Sequence, residues 1–398
     1  MNLLNIAWRN IFRNKRRTYL TVSIILVGIM VYIFSLGYVE GMINSSFETS
    51  VKNYGHIRVV DNEFELKHRT NDLTANVDFS LAKKIENIKN VKKAVPKLST
   101  GGIVFLDKFE KSVAINCIDS EYVGFLDIDK YILSGEVFSK NTVVVGNKFS
   151  TENNIKIGDE ITIMVDTQYK SISALNFKVS GIFNNPESVY HNSILMQLDT
   201  GQYLLDMDGS VTEILVYAYS EDFIEEIAPE IKKITQKKVE KWYEIGVNAA
   251  MISYMELPRT IFGLIFGTLS ALGILNTMMM IILERKREIG ILEANGLSKF
   301  EIIRMCLYEG LGMGAIGIFI GIFIGTLITY VFSIYGMNFG QSMEEIMTSY
   351  NMSYIIYPQV KLYNIVVATL FGFSFSFLGT IIPILPYINK KPAELIKE

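Results

Sequence analysis

Five charges stand in a row at Glu284-Arg285-Lys286-Arg287-Glu288, followed by Ile289-Gly290-Ile291-Leu292-Glu293-Ala294-Asn295-Gly296. Such a block cannot sit in lipid, so it marks an exit from a membrane. Its apolar residues, Ile289, Ile291 and Leu292, then need a partner outside the bilayer. The chemistry is recognition rather than catalysis: Arg285 and Glu288 at i, i+3 can pair with each other or with a partner. Ile289 and Leu292, one turn apart, can fill a groove. The pattern predicts a short cytoplasmic helix gripped by another protein.

Catalytic spacings are missing from the sequence. There is no G-x-x-x-x-G-K-[ST] phosphate loop, no G-x-S-x-G elbow, and His56, His68 and His191 are scattered without metal-ligand spacing. The chain is therefore expected to be non-catalytic, with no cofactor or metal of its own. If energy is used, it must arrive from a partner.

The elements that position the charged block are apolar runs on either side, Ile261–Leu283 and Leu307–Tyr335. Each can cross a hydrocarbon core of about 30 Å. The chain is 49% hydrophobic and 20% charged over 398 residues, with a mean hydropathy of +0.27. That balance is too apolar for a soluble protein and too charged for one wholly in the membrane. It predicts a few spans plus a folded soluble domain. The net charge of −3 gives no pointer to nucleic acid.

Two further runs complete four spans: 19–39, 261–283, 307–335 and 362–388. The first follows a basic flank, but it is longer than a signal-peptide core and no small-x-small site follows it. It reads as a retained anchor. Residues 1–18 carry Arg9, Arg13, Lys15, Arg16 and Arg17 and no acid, which puts the N-terminus in the cytoplasm. Region 40–258 is then outside, 284–306 inside, 336–361 outside and the tail 389–398 inside. The outer loop has one basic residue, Lys361, against five between Arg285 and Arg304. Within 1–18, Leu4, Trp8, Ile11 and Phe12 recur at helical spacing beside Arg9, Arg13 and Arg16, predicting an interfacial helix. Cys117 falls in the outer region and Cys306 in the short inner loop, so no disulfide is expected.

The outer region shows strand-like runs at His56–Val60, Val113–Ile118, Thr142–Val145, Glu160–Val165, Phe177–Ile182, Ser193–Gln197 and Glu213–Tyr219. Helix-like runs are Leu81–Ile88 and Asp222–Thr235. This predicts one α/β part built from both flanks, with an all-β part inserted between them. Gly310, Gly314, Gly317, Gly321 and Gly325 form a smooth stripe for close helix packing, its partner helix unspecified. Glu40 and Glu309 are expected at span ends, within reach of water. Asn276 and Thr277 are expected to make interhelical hydrogen bonds.

At this point the residues resemble a family. Trp8-Arg9-Asn10-Ile11-Phe12-Arg13-Asn14-Lys15-Arg16-Arg17-Thr18 resembles the entry motif of permeases in the lipoprotein-releasing (LolC/LolE-like) and macrolide-exporter (MacB-like) ABC transporter superfamily. So do Gly273-Ile274-Leu275-Asn276-Thr277-Met278, Glu284-Arg285, Arg287-Glu288-Ile289-Gly290 and the tail Pro392-Ala393-Glu394-Leu395. The order of one span, a large outer domain and three more spans covers the whole chain.

The resemblance implies an α-helical membrane protein with four transmembrane helices and an extracytoplasmic domain. That domain would hold an α/β porter part (about 40–98 and 200–258) and a β-rich sabre part (about 99–199). It implies a cytoplasmic-membrane permease that pairs with a second permease, identical or paralogous. Two ATP-binding subunits would bind ATP and Mg. Arg285, Arg287, Glu288, Ile289 and Leu292 would contact that subunit.

The chain lacks a fused ATP-binding domain, which favours lipoprotein release. Lipoproteins would be extracted from the outer leaflet, their acyl chains entering a groove with Met251, Tyr254 and Met255 near its mouth. Alternatives are peptide or drug efflux with an adaptor protein, and regulation of a cell-wall hydrolase without transport.

Overall fold

The computed structural model describes residues 9, 11, 13, 15–106, 109–185, 188–294, 296–340 and 353–388. Most of the expected interfacial helix, the tail 389–398 and residues 341–352 of the outer loop lie outside the described residues.

Helix α1 (Lys15–Tyr54) leads into β1 (Ile57–Val60), α2 (Phe64–His68), β2 (Val77–Asp78) and α3 (Leu81–Glu86). The long strands β3 (Val91–Leu106) and β4 (Phe109–Ile118) follow, then β5 (Ile132–Gly135), β6 (Thr142–Gly146) and α4 (Asn147–Asn153). Next come β7 (Glu160–Asp166), β8 (Ile172–Phe183), β9 (Ser193–Gln197), α5 (Leu198–Leu205), β10 (Ser210–Val211) and β11 (Glu213–Ala218). After α6 (Ile224–Thr235) and β12 (Lys238–Lys241), the chain enters α7 (Gly246–Ala294), α8 (Lys299–Tyr335) and α9 (Leu362–Ile388).

Two compact units result: residues 1–44, 253–338 and 355–398 form one, and 45–252 with 339–354 the other. Helices α1 and α7 each contribute residues to both units.

Among the described residues, four helical stretches are long and apolar enough to cross a membrane: Thr18–Tyr54, Leu257–Glu284, Lys299–Tyr335 and Leu362–Pro386. Their core includes Ile25, Ile29, Ile274, Met278, Met313 and Ile318. Helix α1 runs on past the expected span end at residue 39, because no proline interrupts 40–54. It stops at Gly55, whose φ of +73° suits glycine. A Cβ there would lie 2.8 Å from the Val216 carbonyl oxygen.

The inner loop is shorter than expected. Helix α7 continues through the charged block to Ala294, and Gly296 (φ +96°) ends it. Gly296 N donates to Glu293 O (3.0 Å) and Leu297 N to Leu292 O (3.1 Å), the pattern of a Schellman stop. Ser298 and Glu301 form a reciprocal capping box that starts α8 at once. Cys306 accordingly lies buried inside α8 rather than in a loop. Cys117 is buried too, and neither cysteine is in a disulfide.

The second unit is built on one ten-stranded sheet. An antiparallel arm runs β12-β1-β11-β3. Strand β3 then enters a closed ring. It pairs β4, β4 pairs β9, β9 pairs β6, β6 pairs β8, β8 pairs β7, and β7 returns to β3. Ring closure leaves little strand edge exposed. Helices α3 and α6 cover the arm. In α6, Ile224, Ile227, Ala228, Ile231 and Thr235 form the buried stripe. The arm and the ring thus share β3, and the ring region also holds helix α4, so it is β-rich rather than all-β.

Candidate functional site

The end of α7 shows which face of the charged block is on offer. Glu284, Arg287, Glu288 and Ile291 are exposed and recur at i, i+3, i+4, i+7, a single helical face. Ile291 is 46% exposed. On the other side Gly290 is buried, Leu292 half-buried, and Ile289 packs against the core of the spans. Arg13 Nη2 approaches Glu288 Oε1 at 3.8 Å, with both side chains more than half exposed. That geometry contributes little by itself.

Of the carried-over residues, Arg287 and Glu288 therefore share the outward face, while Ile289 and Leu292 turn inward. Ile291, outside that set, is the apolar residue presented outward. The Arg285 side chain lies outside the described residues.

The glycine stripe meets two helices. A Cβ on Gly310 or Gly314 would collide with Thr380 or Ser376 of α9. On Gly317, Gly321 and Gly325 it would meet Ile25 Cβ (2.8 Å), Leu26 O (2.8 Å) and Met30 O (3.0 Å) of α1. Absence of side chains is what lets α8 lie this close to both neighbours. Thr277 hydrogen-bonds to Thr21 of α1, joining α7 to α1. Asn276 is exposed instead.

Glu40 and Glu309 depart from expectation. Neither reaches water freely: they are 7% and 1% exposed. Glu40 is held by Arg259 and by Lys361 Nζ (2.6 Å), so two cations replace water around one carboxylate. Tyr254, expected near a groove mouth, is exposed. The Met251 and Met255 side chains lie outside the described residues.

The second unit holds an ion network that the sequence pattern did not signal. Arg58 of β1 donates from Nη2 to Glu240 Oε2 of β12 at 2.6 Å. Its Nη1 lies 3.7 Å from Glu213 Oε2 of β11. Lys97 Nζ of β3 is 3.3 Å from Glu213 Oε1. All four side chains are buried. Strand register sets them together: Arg58 lies opposite Glu240 on one side and Leu215 on the other, and Glu213, two residues before Leu215, lies between Val60 and Lys97.

Burial pushes the Glu213 carboxyl up, but Lys97 and Arg58 outweigh it and hold it below the usual carboxylate range. Burial likewise opposes the Arg58 charge, and Glu213 and Glu240 overcome it.

Four membrane-length helices joined to a folded α/β domain with a closed strand ring define a polytopic membrane protein carrying one large soluble domain. Residues 18–234 match the MacB-like periplasmic core domain, and residues 260–392 match the FtsX-like permease C-terminal domain. Among relatives, an uncharacterised ABC transporter permease of Methanocaldococcus jannaschii is 26% identical over 56% of this chain and 60% of its own length. The lipoprotein-releasing system transmembrane protein LolC of Xylella fastidiosa is 22% identical over 64% of each chain. The periplasmic region of MacB from Actinobacillus actinomycetemcomitans superposes with a TM-score of 0.36 at 13% identity, covering 50% of this chain and 91% of that one. The chain thus spans about 60% of the length of the first of these relatives.

The chain belongs to the MacB-like periplasmic core domain family, within the permease superfamily that also contains LolC.

Proposed function

We propose that this chain is the non-catalytic permease subunit of a mechanotransmitting ABC transporter, working with a separate ATP-binding subunit. The observation that carries the reading is the outward face Glu284, Arg287, Glu288 and Ile291 at the end of a helix of 49 residues. The subunit docks on that face, two copies serving a pair of permeases, and binds ATP and Mg itself. A push at the charged block travels along α7, a single helix from Gly246 to Ala294 in which Pro258 removes one backbone hydrogen bond. Both termini lie in the cytoplasm, in keeping with the basic residues of the inner segments, and the β-rich unit lies outside the cytoplasmic membrane.

The cargo reading is extraction of lipoproteins from the outer leaflet, supported by the LolC relative. Exposed Tyr254 and Leu257 supply an apolar flank for acyl chains. The macrolide-export relative from Hyphomonas neptunium, matched over 84% of this chain, keeps adaptor-linked efflux as the second reading.

The test is gentle co-purification of the tagged full chain, with and without the double substitution Arg287→Glu, Ile291→Asp. Recovery of an ATP-binding subunit with the native chain and its loss with the variant is the expected result. Equal recovery from both would overturn the docking face. Acylated lipoproteins in the native sample support release, whereas an adaptor or hydrolase without lipoprotein replaces that reading.

A further inference from the structure

The second unit contains an open cleft of about 1230 Å³ whose floor is the buried ion network. Arg58, Lys97, Ser99, Asn116 and Glu213 line it, with Tyr54 and Phe64 on its walls. Buried charges are costly to keep, and a cleft that opens onto them is where a ligand is expected. We propose that this cleft binds a neutral, polyhydroxylated ligand, a glycan chain or its end, through hydroxyl groups that reach Glu213, Arg58 and Ser99.

The chemistry of the floor selects that class. Three cations, Arg58, Lys97 and Lys238, already face three carboxylates, Glu213, Glu240 and Glu65. A charged group brought in would upset this balance. What the floor lacks is one donor: Glu213 Oε2 is buried without a hydrogen bond, while Oε1 accepts from Ser99 Oγ at 3.1 Å. Arg58 Nη1, 3.7 Å from that same Oε2, is beyond hydrogen-bond distance. A hydroxyl placed there donates to Oε2 and accepts from the guanidinium at once.

The walls suit sugar rings. His68, exposed and lining the cleft, stacks on the buried Phe64 ring with planes 16° apart at 4.6 Å. This gives a flat aromatic surface beside the polar floor.

An extended peptide is the competing neutral ligand, and the strand edge is closed to it. Between its pairings with β11 and β7, β3 has an open stretch, Leu98–Gly102. Gly101 N–H and C=O are both taken by the Asn71 side-chain amide (2.9 and 3.2 Å), and Ser99 N–H donates to Thr212 Oγ1 (2.8 Å). Strand addition would have to displace these bonds.

The test uses the full chain in lipid nanodiscs free of glycoside detergent. Titration calorimetry is run with maltotriose, with the trimer of N-acetylglucosamine and with trialanine. Binding of at least one saccharide and none of trialanine is expected. Glu213→Gln should weaken it at least tenfold. Because that change disturbs the ion network, Gly101→Phe is the second variant. A Cβ at Gly101, which lines the cleft, meets only Asn71, at 3.7 Å, so a side chain can be added there without a clash at its base. That variant should abolish binding with unchanged thermal unfolding. No heat from either saccharide, undiminished binding by Gly101→Phe, or binding of trialanine alone would each overturn the proposal.

Discussion

Glu40 accepts the Arg259 guanidinium on Oε1, tying α1 to α7 within the membrane-helix unit. Its other oxygen accepts Lys361 Nζ at 2.6 Å, just ahead of α9. One carboxylate thus ties three segments. Hydrogen bonds to charged groups contribute about 1.5–3 kcal/mol, and a carboxylate 7% exposed cannot exchange them for water without movement. Glu40→Ala should lower the thermal midpoint of the detergent-purified chain. Glu40→Ala with Arg259→Leu should cost less than the sum of the two single changes. Strict additivity in that cycle would show the pair to be uncoupled.

The two halves of the glycine stripe should respond differently to alanine. At Gly321 and Gly325 the added Cβ meets carbonyl oxygens of Leu26 and Met30, backbone atoms that can yield only if α1 shifts. At Gly314 it meets the Ser376 hydroxyl, a side-chain end. Overpacking costs about 1–3 kcal/mol where neighbours cannot relax. Gly321→Ala and Gly325→Ala should therefore lower the thermal midpoint clearly. Gly314→Ala should cost less, and adding Ser376→Ala should recover part of the loss, because Ser376 Cβ stays 2.9 Å from the added methyl. Equal losses at Gly314 and Gly321 would contradict this.

The spans were legible because twenty-residue apolar runs have few alternatives, whereas 284–306 reads as one inner segment although Gly296 and Ser298-x-x-Glu301 carry the stop of α7 and the start of α8. The extension of α1 to Tyr54 was not legible either. Polar residues after Val39 look like loop, yet none of them breaks a helix. Strand β3 was hidden by Pro96 and by Gly101-Gly102, which usually mark strand ends. Its pairing with β4 and with β7 holds it extended regardless. The ion network was illegible for a deeper reason. Arg58, Lys97, Glu213 and Glu240 are far apart in sequence, and only the register of β1, β3, β11 and β12 joins them. At the charged block the residue types were legible, but the facing was not. Ile289 and Leu292 were expected to fill a partner's groove, and the helix phase instead turns them towards the spans and leaves Ile291 outside.

Arg58 is the keystone of that network, so its removal should be severe. Arg58→Ala leaves Glu240 with Lys238 (2.7 Å) and Glu213 with Lys97 (3.3 Å), each having lost its guanidinium. Breaking one side of a buried pair costs about 3–5 kcal/mol. Arg58→Met with Glu240→Met, replacing both partners by apolar side chains, should recover much of the loss. Denaturant midpoints of the three chains decide the matter. A double variant no better than Arg58→Ala would place the cost in packing rather than charge.

Acid should weaken the outer unit in two separate windows. His56 Nδ1 accepts from Ala218 N–H at 3.3 Å, which requires the neutral ring. Burial, with Lys92 second, holds its pKa below the ordinary 6.5. The unfolded chain therefore takes up a proton that the folded chain resists. The stability carried by neutral His56 is complete above about pH 6.5 and is lost as the pH falls towards the folded value. Glu213 and Glu240 act lower. Burial raises both, but Lys97 and Arg58 for the first, and Arg58 and Lys238 for the second, bring them below 4.5. Their contribution is complete above about pH 4.5 and is lost as the pH falls through the depressed values. Trp242 reports on this region, buried and 5.0 Å from Phe47, which itself contacts the His56 ring. In a Trp8→Phe background, unfolding followed by Trp242 fluorescence should show stability falling first just below pH 6.5 and again below pH 4.5. His56→Gln should flatten the upper step and leave the lower one. An upper step that persists in that variant would assign it to another group.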